Sequence, residues 1–255
     1  MTFKFICLNL WLGGKMFDNV LDFLNREKPD VLALQEAYNG EDLKYPKNYR
    51  TMEEFSKMFN YKYVDFAPAF LDHRPDGAVM ECGNAIFSKY PIVSREVTFY
   101  DTPFDSEYSE SKMKGDFSNT PRNLQHVQLN INEKIVNVFN TQGIWGFDGE
   151  DNPRRLAMGK IIREKYLGKE NVVLCGDFNT LDRAKTMTAF ETELKNVFKG
   201  EFIRTFNMLH KPEDSGFATA VVDMVYVSPN IGVANHYTVN EDVTDHVPLI
   251  CEFSI

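Results

Sequence analysis

The chain has 255 residues, of which 43% are hydrophobic and 25% charged, with a net charge of −9. That composition excludes a disordered or low-complexity protein, and no apolar stretch approaches the ~18 residues of a membrane-spanning helix. The acidic balance excludes a global electrostatic attraction for nucleic acid; any such attraction must be local or come from a bound cation.

The N-terminus, "MTFKFICLNLW", enters an alternating strand pattern directly and lacks the three-part pattern of a secretion signal. Strands are predicted at 3–9, 31–35, 61–66, 84–88, 92–99, 123–131, 135–141, 171–176, 221–227 and 247–254, each rich in Val, Ile, Phe or Tyr and bounded by turn formers. Two hairpins are expected, one turning at Lys89-Tyr90-Pro91 and one at Asn132-Glu133. Helices interrupt the series. Residues 16–27 place Phe17, Val20, Leu21 and Leu24 on one face, and Pro29 marks the exit. Thr51 with Glu54 reads as a capping box for 52–59. Asn152-Pro153 opens a helix over 153–167 that closes at Gly168. A last helix over 183–195 carries Met187, Phe190 and Leu194. "GGK" at 13–15 is a turn, not a phosphate-binding loop, because Asn9 and Met16 occupy the positions that would need Gly and Ser or Thr.

Ten strands with four scattered helices imply two sheets or one large one, with a substantial antiparallel component. No linker or repeat divides the chain, so residues 1–255 are read as one domain, a monomer. The polar stretch 100–121 is the longest expected loop, and loops of that length are usually functional or mobile. Cys7, Cys82, Cys175 and Cys251 have no metal-ligand spacing and read as reduced core residues of a cytoplasmic protein.

Polar residues gather at strand ends. "VVLCGDFNT" (172–180) runs from an apolar strand into Asp177 and Asn179, which as residues two apart share one side. Asn9 ends the first strand and Glu36 the second; Asn140 and Gln142 end another, Asp223 sits in "VVDMVYVS", and Asp245-His246 precede the last. Each alone is an ordinary cap, turn or surface residue. Together, carboxylate and carboxamide oxygens suit a hard divalent cation, and a histidine with a carboxylate partner suits work on developing charge or proton transfer.

The ordered set N-L-W (9–11), L-Q-E (34–36), G-N-A-I-F-S (83–88), N-T-Q-G (140–143), G-D-F-N (176–179), V-D-M-V-Y-V-S (222–228) and D-H-V-P-L (245–249) resembles the endonuclease/exonuclease/phosphatase superfamily, which includes DNase I-like nucleases, 5-phosphatases and neutral sphingomyelinases. The resemblance implies an α/β fold: a four-layer αββα sandwich of two mixed, mainly antiparallel sheets packed face to face with helices outside. It implies Mg²⁺-dependent cleavage of a P–O bond, with Mn²⁺ as a substitute. It assigns Glu36, Asn9 and Asp245 to the metal site, Asp177 and Asn179 to the attacking water, His246 to the phosphate and Asp223 to the orientation of that histidine. Asn140 falls in the same catalytic set. Gln142 departs from the pattern, standing where many members have histidine. Glutamine donates a hydrogen bond but gives up no proton, so an active hydrolase and a non-catalytic binding protein of the same fold both stay open. Arg154 and Arg155, at a helix start, are candidates for a distal phosphate. The resemblance implies a phosphoester substrate: nucleic acid first, a small phosphorylated metabolite or lipid headgroup second. No basic tract or aromatic stacking platform is evident in the sequence.

Overall fold

The computed structural model describes residues 2–211 and 220–255. The first sheet holds β1 (Thr2–Asn9), β2 (Val31–Asn39), β3 (Tyr63–His73), β4 (Val79–Ser88), β11 (Gly232–Tyr237) and β12 (Leu249–Ser254), in the order β11-β12-β1-β2-β4-β3. The second holds β5 (Ile92–Phe99), β6 (Asn123–Ile131), β7 (Lys134–Gln142), β8 (Val172–Asp177), β9 (Lys195–Asn196) and β10 (Asp223–Val227), in the order β5-β6-β7-β8-β10-β9. Two pairs are parallel, β1 with β2 and β7 with β8; all other pairs are antiparallel. Each parallel pair is joined by a helix, α1 (Phe17–Glu27) for the first and α4 (Pro153–Tyr166) for the second, as a parallel connection requires.

Strand alternation explains the layers. In β1, Phe3, Phe5 and Cys7 face the second sheet, whereas Ile6 and Leu8 face α1 and α2 (Thr51–Met58). In β8, Val173 and Cys175 face inward, and Val172 and Leu174 face α4. Strands buried on both sides read as continuous apolar runs. The result is the expected four-layer αββα sandwich, with helices on both outer faces. All four cysteines are buried and free. Among the described residues, no helix is long and apolar enough to cross a membrane.

Four local expectations are corrected. Residues 84–99 are not a hairpin: β4 and β5 lie in different sheets. The Tyr90 ring packs into the inter-sheet core, 6.3 Å from Phe3, and draws the chain across. The hairpin at Asn132-Glu133 does form, with both turn residues at positive φ (49° and 67°). Thr51 is not a cap. It is the first residue of α2, its hydroxyl donates to the Gly13 and Asn48 carbonyls, and Glu54 pairs with Arg50 instead. Residues 183–195 break into α5 (Lys185–Thr188), a 3-10 turn and β9, although Met187, Phe190 and Leu194 are all buried. The Thr188 and Thr192 hydroxyls donate back to the Ala184 and Ala189 carbonyls, a bonding that weakens helices. Last, β3 and β4 run well beyond their apolar cores, with a register shift between Pro68 and Phe70. Pro68 falls at that irregularity, where a strand tolerates proline.

The two sheets are bonded to each other below their ends. Gln35 Nε2 donates to Asn140 Oδ1 at 2.6 Å, and Asn140 Nδ2 donates to the Leu34 carbonyl at 2.9 Å and to Gln125 Oε1 at 3.1 Å. Asn140 is fully buried. Removing its side chain strands several buried polar groups, each costing ~1–3 kcal/mol. Asn140→Ala is therefore expected to lower the unfolding free energy by about 2–4 kcal/mol in urea titrations. A variant unfolding at the wild-type midpoint would remove Asn140 from this role.

Candidate active site

The carboxyl ends of the parallel pairs meet at one end of the sandwich, and a cavity of about 550 Å³ opens there. Open α/β sheets bind ligands at such strand ends because the backbone there stops pairing and side chains turn outward.

Glu36 reaches the cavity through an irregularity in β2. The β2–β4 register shifts between Leu34 and Ala37, and Glu36 has φ = 57°. Such bulges re-aim a side chain at some conformational cost. The turn after β1, in which Trp11 and Leu12 also have positive φ, wraps the carboxylate, and the Leu12 amide donates to Glu36 Oε2 at 2.9 Å. Gln142 Nε2 donates to Glu36 Oε1 at 2.7 Å, and Asn9 Nδ2 donates to the same oxygen at 3.2 Å. Burial pushes the Glu36 carboxyl up, but the Leu12 amide, the Arg122 charge, the Asn9 amide and the His246 charge outweigh it, so its pKa is lowered. Glu36 is thus a carboxylate at neutral pH.

Asp177 ends β8. The strand comes very close to β7 because Gly176, at φ = 150°, has no side chain: a Cβ there would sit 1.9 Å from the Thr141 carbonyl. Asp177 Oδ1 accepts from the Asn179 amide at 3.0 Å, closing a side-chain turn that leaves Asn179 at φ = 50°. Asp177 Oδ2 accepts from Asn9 Nδ2 at 3.1 Å. One Asn9 amide therefore bridges the two acids, Glu36 and Asp177. In the second sheet Gln142 lies opposite Asp177 on one flank, and Asp223 lies opposite it on the other. Asp223 Oδ2 takes His246 Nδ1 at 2.9 Å, which leaves Nε2 as the imidazole's other polar atom, on a ring that lines the cavity. Burial alone would lower the His246 pKa, but the Asp223, Asp245 and Asp177 charges raise it to about 10.

Asn9, Glu36, Gln142, Asp177, Asn179, Asp223, Asp245 and His246 are thus brought to one place. Three sequence candidates are not. Asn140 lies deeper, between the sheets. Arg155 is completely buried, its guanidinium donating to the Ile144 and Glu150 carbonyls. Arg154 is half-buried and donates to Asp101 at 2.5 Å and to the Ser118 carbonyl at 2.7 Å. Neither arginine lines the cavity.

Sequence reasoning missed two cations that do, Arg122 and Lys211. Arg122 Nη1 donates to Gln142 Oε1, while its buried Nε has no partner. Its position just before β6, the neighbour of β7, was the available signal. Lys211 Nζ lies 2.7 Å from Asp245 Oδ2. Also missed was an aromatic wall of Phe117, Trp145 and Phe147 on the cavity rim, which corrects the expectation of no aromatic platform.

Asp245 Oδ1 is buried without a hydrogen-bond partner. That orphaned oxygen and the ionised Glu36 line the same cavity, and carboxylate oxygens are the donors that fit a hard divalent cation. Among the described residues no group of three or more His, Cys, Asp or Glu is already clustered around a metal-sized space.

A family model described as the Endonuclease/Exonuclease/phosphatase family matches residues 8–246, and the chain belongs to that family of phosphoester hydrolases. Solved structures share the fold at low identity. An endonuclease/exonuclease/phosphatase from Bacteroides vulgatus is 17% identical with a TM-score of 0.71, the alignment covering 100% of this chain and 99% of that one. D. rerio TDP2, complexed with single-strand DNA product, is 14% identical with a TM-score of 0.69 and the same coverages, 100% and 99%. A mannosyl-6-phosphatase of Bacteroides thetaiotaomicron is 17% identical with a TM-score of 0.65, covering 99% of this chain and 100% of that one. No curated protein sequence matches the chain.

The His246 shift has a stability consequence. Its folded pKa, about 10, lies above the unfolded value of ~6.5, so its contribution is complete below pH ~6.5 and fades as pH rises through the folded pKa. In a chelator, the wild type is expected to lose stability between pH 6 and pH 10 relative to His246→Gln. Parallel pH profiles of the two unfolding free energies would refute this.

Proposed function

We propose that the protein is a divalent-metal-dependent phosphoester hydrolase, a phosphodiesterase rather than a monoesterase, with Mg²⁺ as its resident ion and Mn²⁺ as a substitute. The observation that carries this reading is the single Asn9 amide spanning Glu36 and Asp177, at 3.2 and 3.1 Å, beside the His246–Asp223 pair. Glu36 and Asp245 would hold the ion, with Asn9 aligning Glu36. When bound, the ion would polarise a phosphoryl oxygen and neutralise developing charge.

The chain's own groups then divide the work. Asp177 receives the Asn179 backbone amide on Oδ1 and the Asn9 and Asn179 side-chain amides on Oδ2, which leaves lone-pair capacity for one water. It orients that water toward phosphorus and accepts its proton as the new O–P bond forms and the ester P–O bond breaks. His246, held charged, donates from Nε2 to a phosphoryl oxygen, a charge-assisted bond stronger than a neutral one. Arg122 adds a second positive group, and its buried, unpaired Nε–H is satisfied by a substrate oxygen. Gln142 has both ends of its amide engaged, on Glu36 and Arg122. It acts as a spacer that aims those two groups, not as an acid, so an alkoxide leaving group takes its proton from water. A nucleic-acid phosphodiester is the first substrate class, with a small phosphorylated metabolite or lipid headgroup second, acted on by a cytoplasmic monomer.

Hydrolysis of bis(p-nitrophenyl) phosphate in Mg²⁺ tests the reading. Asp177→Asn is expected to slow it at least ~10²-fold. Glu36→Ala is expected to weaken Mg²⁺ binding measured by calorimetry. Wild-type protein inert in both Mg²⁺ and Mn²⁺ would favour a binding protein of this fold. In a second experiment, Gln142→His should raise the rate on an oligonucleotide, whose alkoxide needs a proton, relative to the rate on the nitrophenyl ester by ~10-fold or more, any loss of the spacer being common to both. Equal gains on both substrates would remove residue 142 from the leaving-group side.

A further inference from the structure

The Arg154-Arg155 pair that opens α4 is not used by the chemistry above, yet both side chains are tightly held. Arg155 donates from Nε to the Ile144 carbonyl at 3.1 Å and from Nη1 to the Glu150 carbonyl at 2.6 Å. Those contacts clamp both ends of the segment that follows Gln142 and carries Trp145 and Phe147. Gly146 packs directly on the same guanidinium, where a Cβ would meet Nη2 at 2.8 Å. Arg154 reaches the other way, to the Ser118 carbonyl at 2.7 Å and Asp101 at 2.5 Å, and so braces the loop that carries Phe117.

The two braced loops bring three rings together. Phe117 meets Trp145 edge-on, with centroids 5.5 Å apart and planes at 89°. Trp145 meets Phe147 at 4.7 Å and 71°. All three line the cavity that holds Arg122, Asp177 and His246. Phe147 is 65% exposed and the other two are half-buried. A contiguous aromatic surface held rigid beside a charged site is a ligand wall, because its rings would otherwise gain by turning inward.

We propose that this wall is the subsite for a flat aromatic group carried by the phosphoester, a nucleobase or an aryl ring, with Arg154 and Arg155 as positioning residues that build it. The inference rests on the phosphoester reading and names the substrate class it selects. The ring stacks on Trp145 or Phe147 while the phosphate lies toward Arg122 and His246. Edge-on packing within the wall keeps a ring face open to the ligand, and a planar group gains more from such a face than a chain or a sugar does. Recognition is of one ring next to one phosphate and needs no long-range attraction from a chain of net charge −9.

Calorimetry in Mg²⁺ with two matched pairs tests this: phenylphosphonate against methylphosphonate, and adenosine 5′-monophosphate against ribose 5-phosphate. The aromatic member is expected to bind roughly tenfold more tightly. Trp145→Ala is expected to abolish that preference while keeping the affinity for methylphosphonate. Trp145→Phe, which keeps a ring and guards against misfolding, is expected to retain most of it. A preference confined to the adenosine pair assigns the wall to nucleobases, and one confined to the phenyl pair assigns it to aryl esters; either supports the subsite. Equal affinity within both pairs, or a preference that survives Trp145→Ala, overturns it and leaves the hydrolase reading standing. Failure of all four ligands to bind overturns the phosphoester reading and this subsite together.

Discussion

The hydrogen bond from Gln35 to Asn140, at 2.6 Å, joins the two sheets directly beneath the site. Apolar packing between sheets is non-directional and tolerates sliding; a buried amide pair does not, because any slip strands polar groups without water. The next residue along β2 is Glu36, and two along β7 is Gln142. These two share a hydrogen bond at 2.7 Å across the same gap. The register set in the core is therefore the register of the site. Asn9 extends the arrangement, since its amide needs an acid from each sheet at nearly equal distance.

The charge layout follows from that frame. The molecule is acidic overall, but the cavity gathers His246, Arg122 and Lys211 around its acids. Each cation is tied to a specific partner: Asp223, Gln142 or Asp245. A phosphate entering there meets fixed positive groups at short range, where fields are little screened, whereas at long range the molecule repels it. Selection then falls to contact chemistry rather than to electrostatic capture.

Much of this could be read from residue types alone. Strands buried on both faces announce themselves as apolar runs, and a carboxylate or carboxamide closing such a run points to a strand end with work to do. That logic singled out Asn9, Glu36, Gln142 and Asp177, which the fold brings within hydrogen-bonding distance of one another. It misjudged Asn140, because alternation gives the side a residue faces but not its depth. Asn140 shares a face with Gln142 yet lies two residues, about 6.6 Å, further into the sandwich. The hairpin expected at 89–91 failed for a similar reason: a Pro-containing turn is legible, but whether the chain stays in its sheet depended on where the Tyr90 ring packed. Arg122, directly before β6, left a signal that went unused; the rings of the aromatic wall left none. Those rings depend on loops brought together by long-range contacts, such as Arg154 with Ser118, that leave no periodic trace.

The position of β12 adds a matter of timing. It pairs along β1, from Thr2 opposite Ser254 to Cys7 opposite Leu249, so β1 must wait for a segment synthesised long after it. Until residues 249–254 leave the ribosome, β1 has one open edge, and Asp245 and His246 have no strand to anchor them. Closing so long a loop is slow. The polar end of the sandwich is thus assembled late, and a nascent chain carries Glu36 and Asp177 as an unfinished half-site until residues 249–254 have been made.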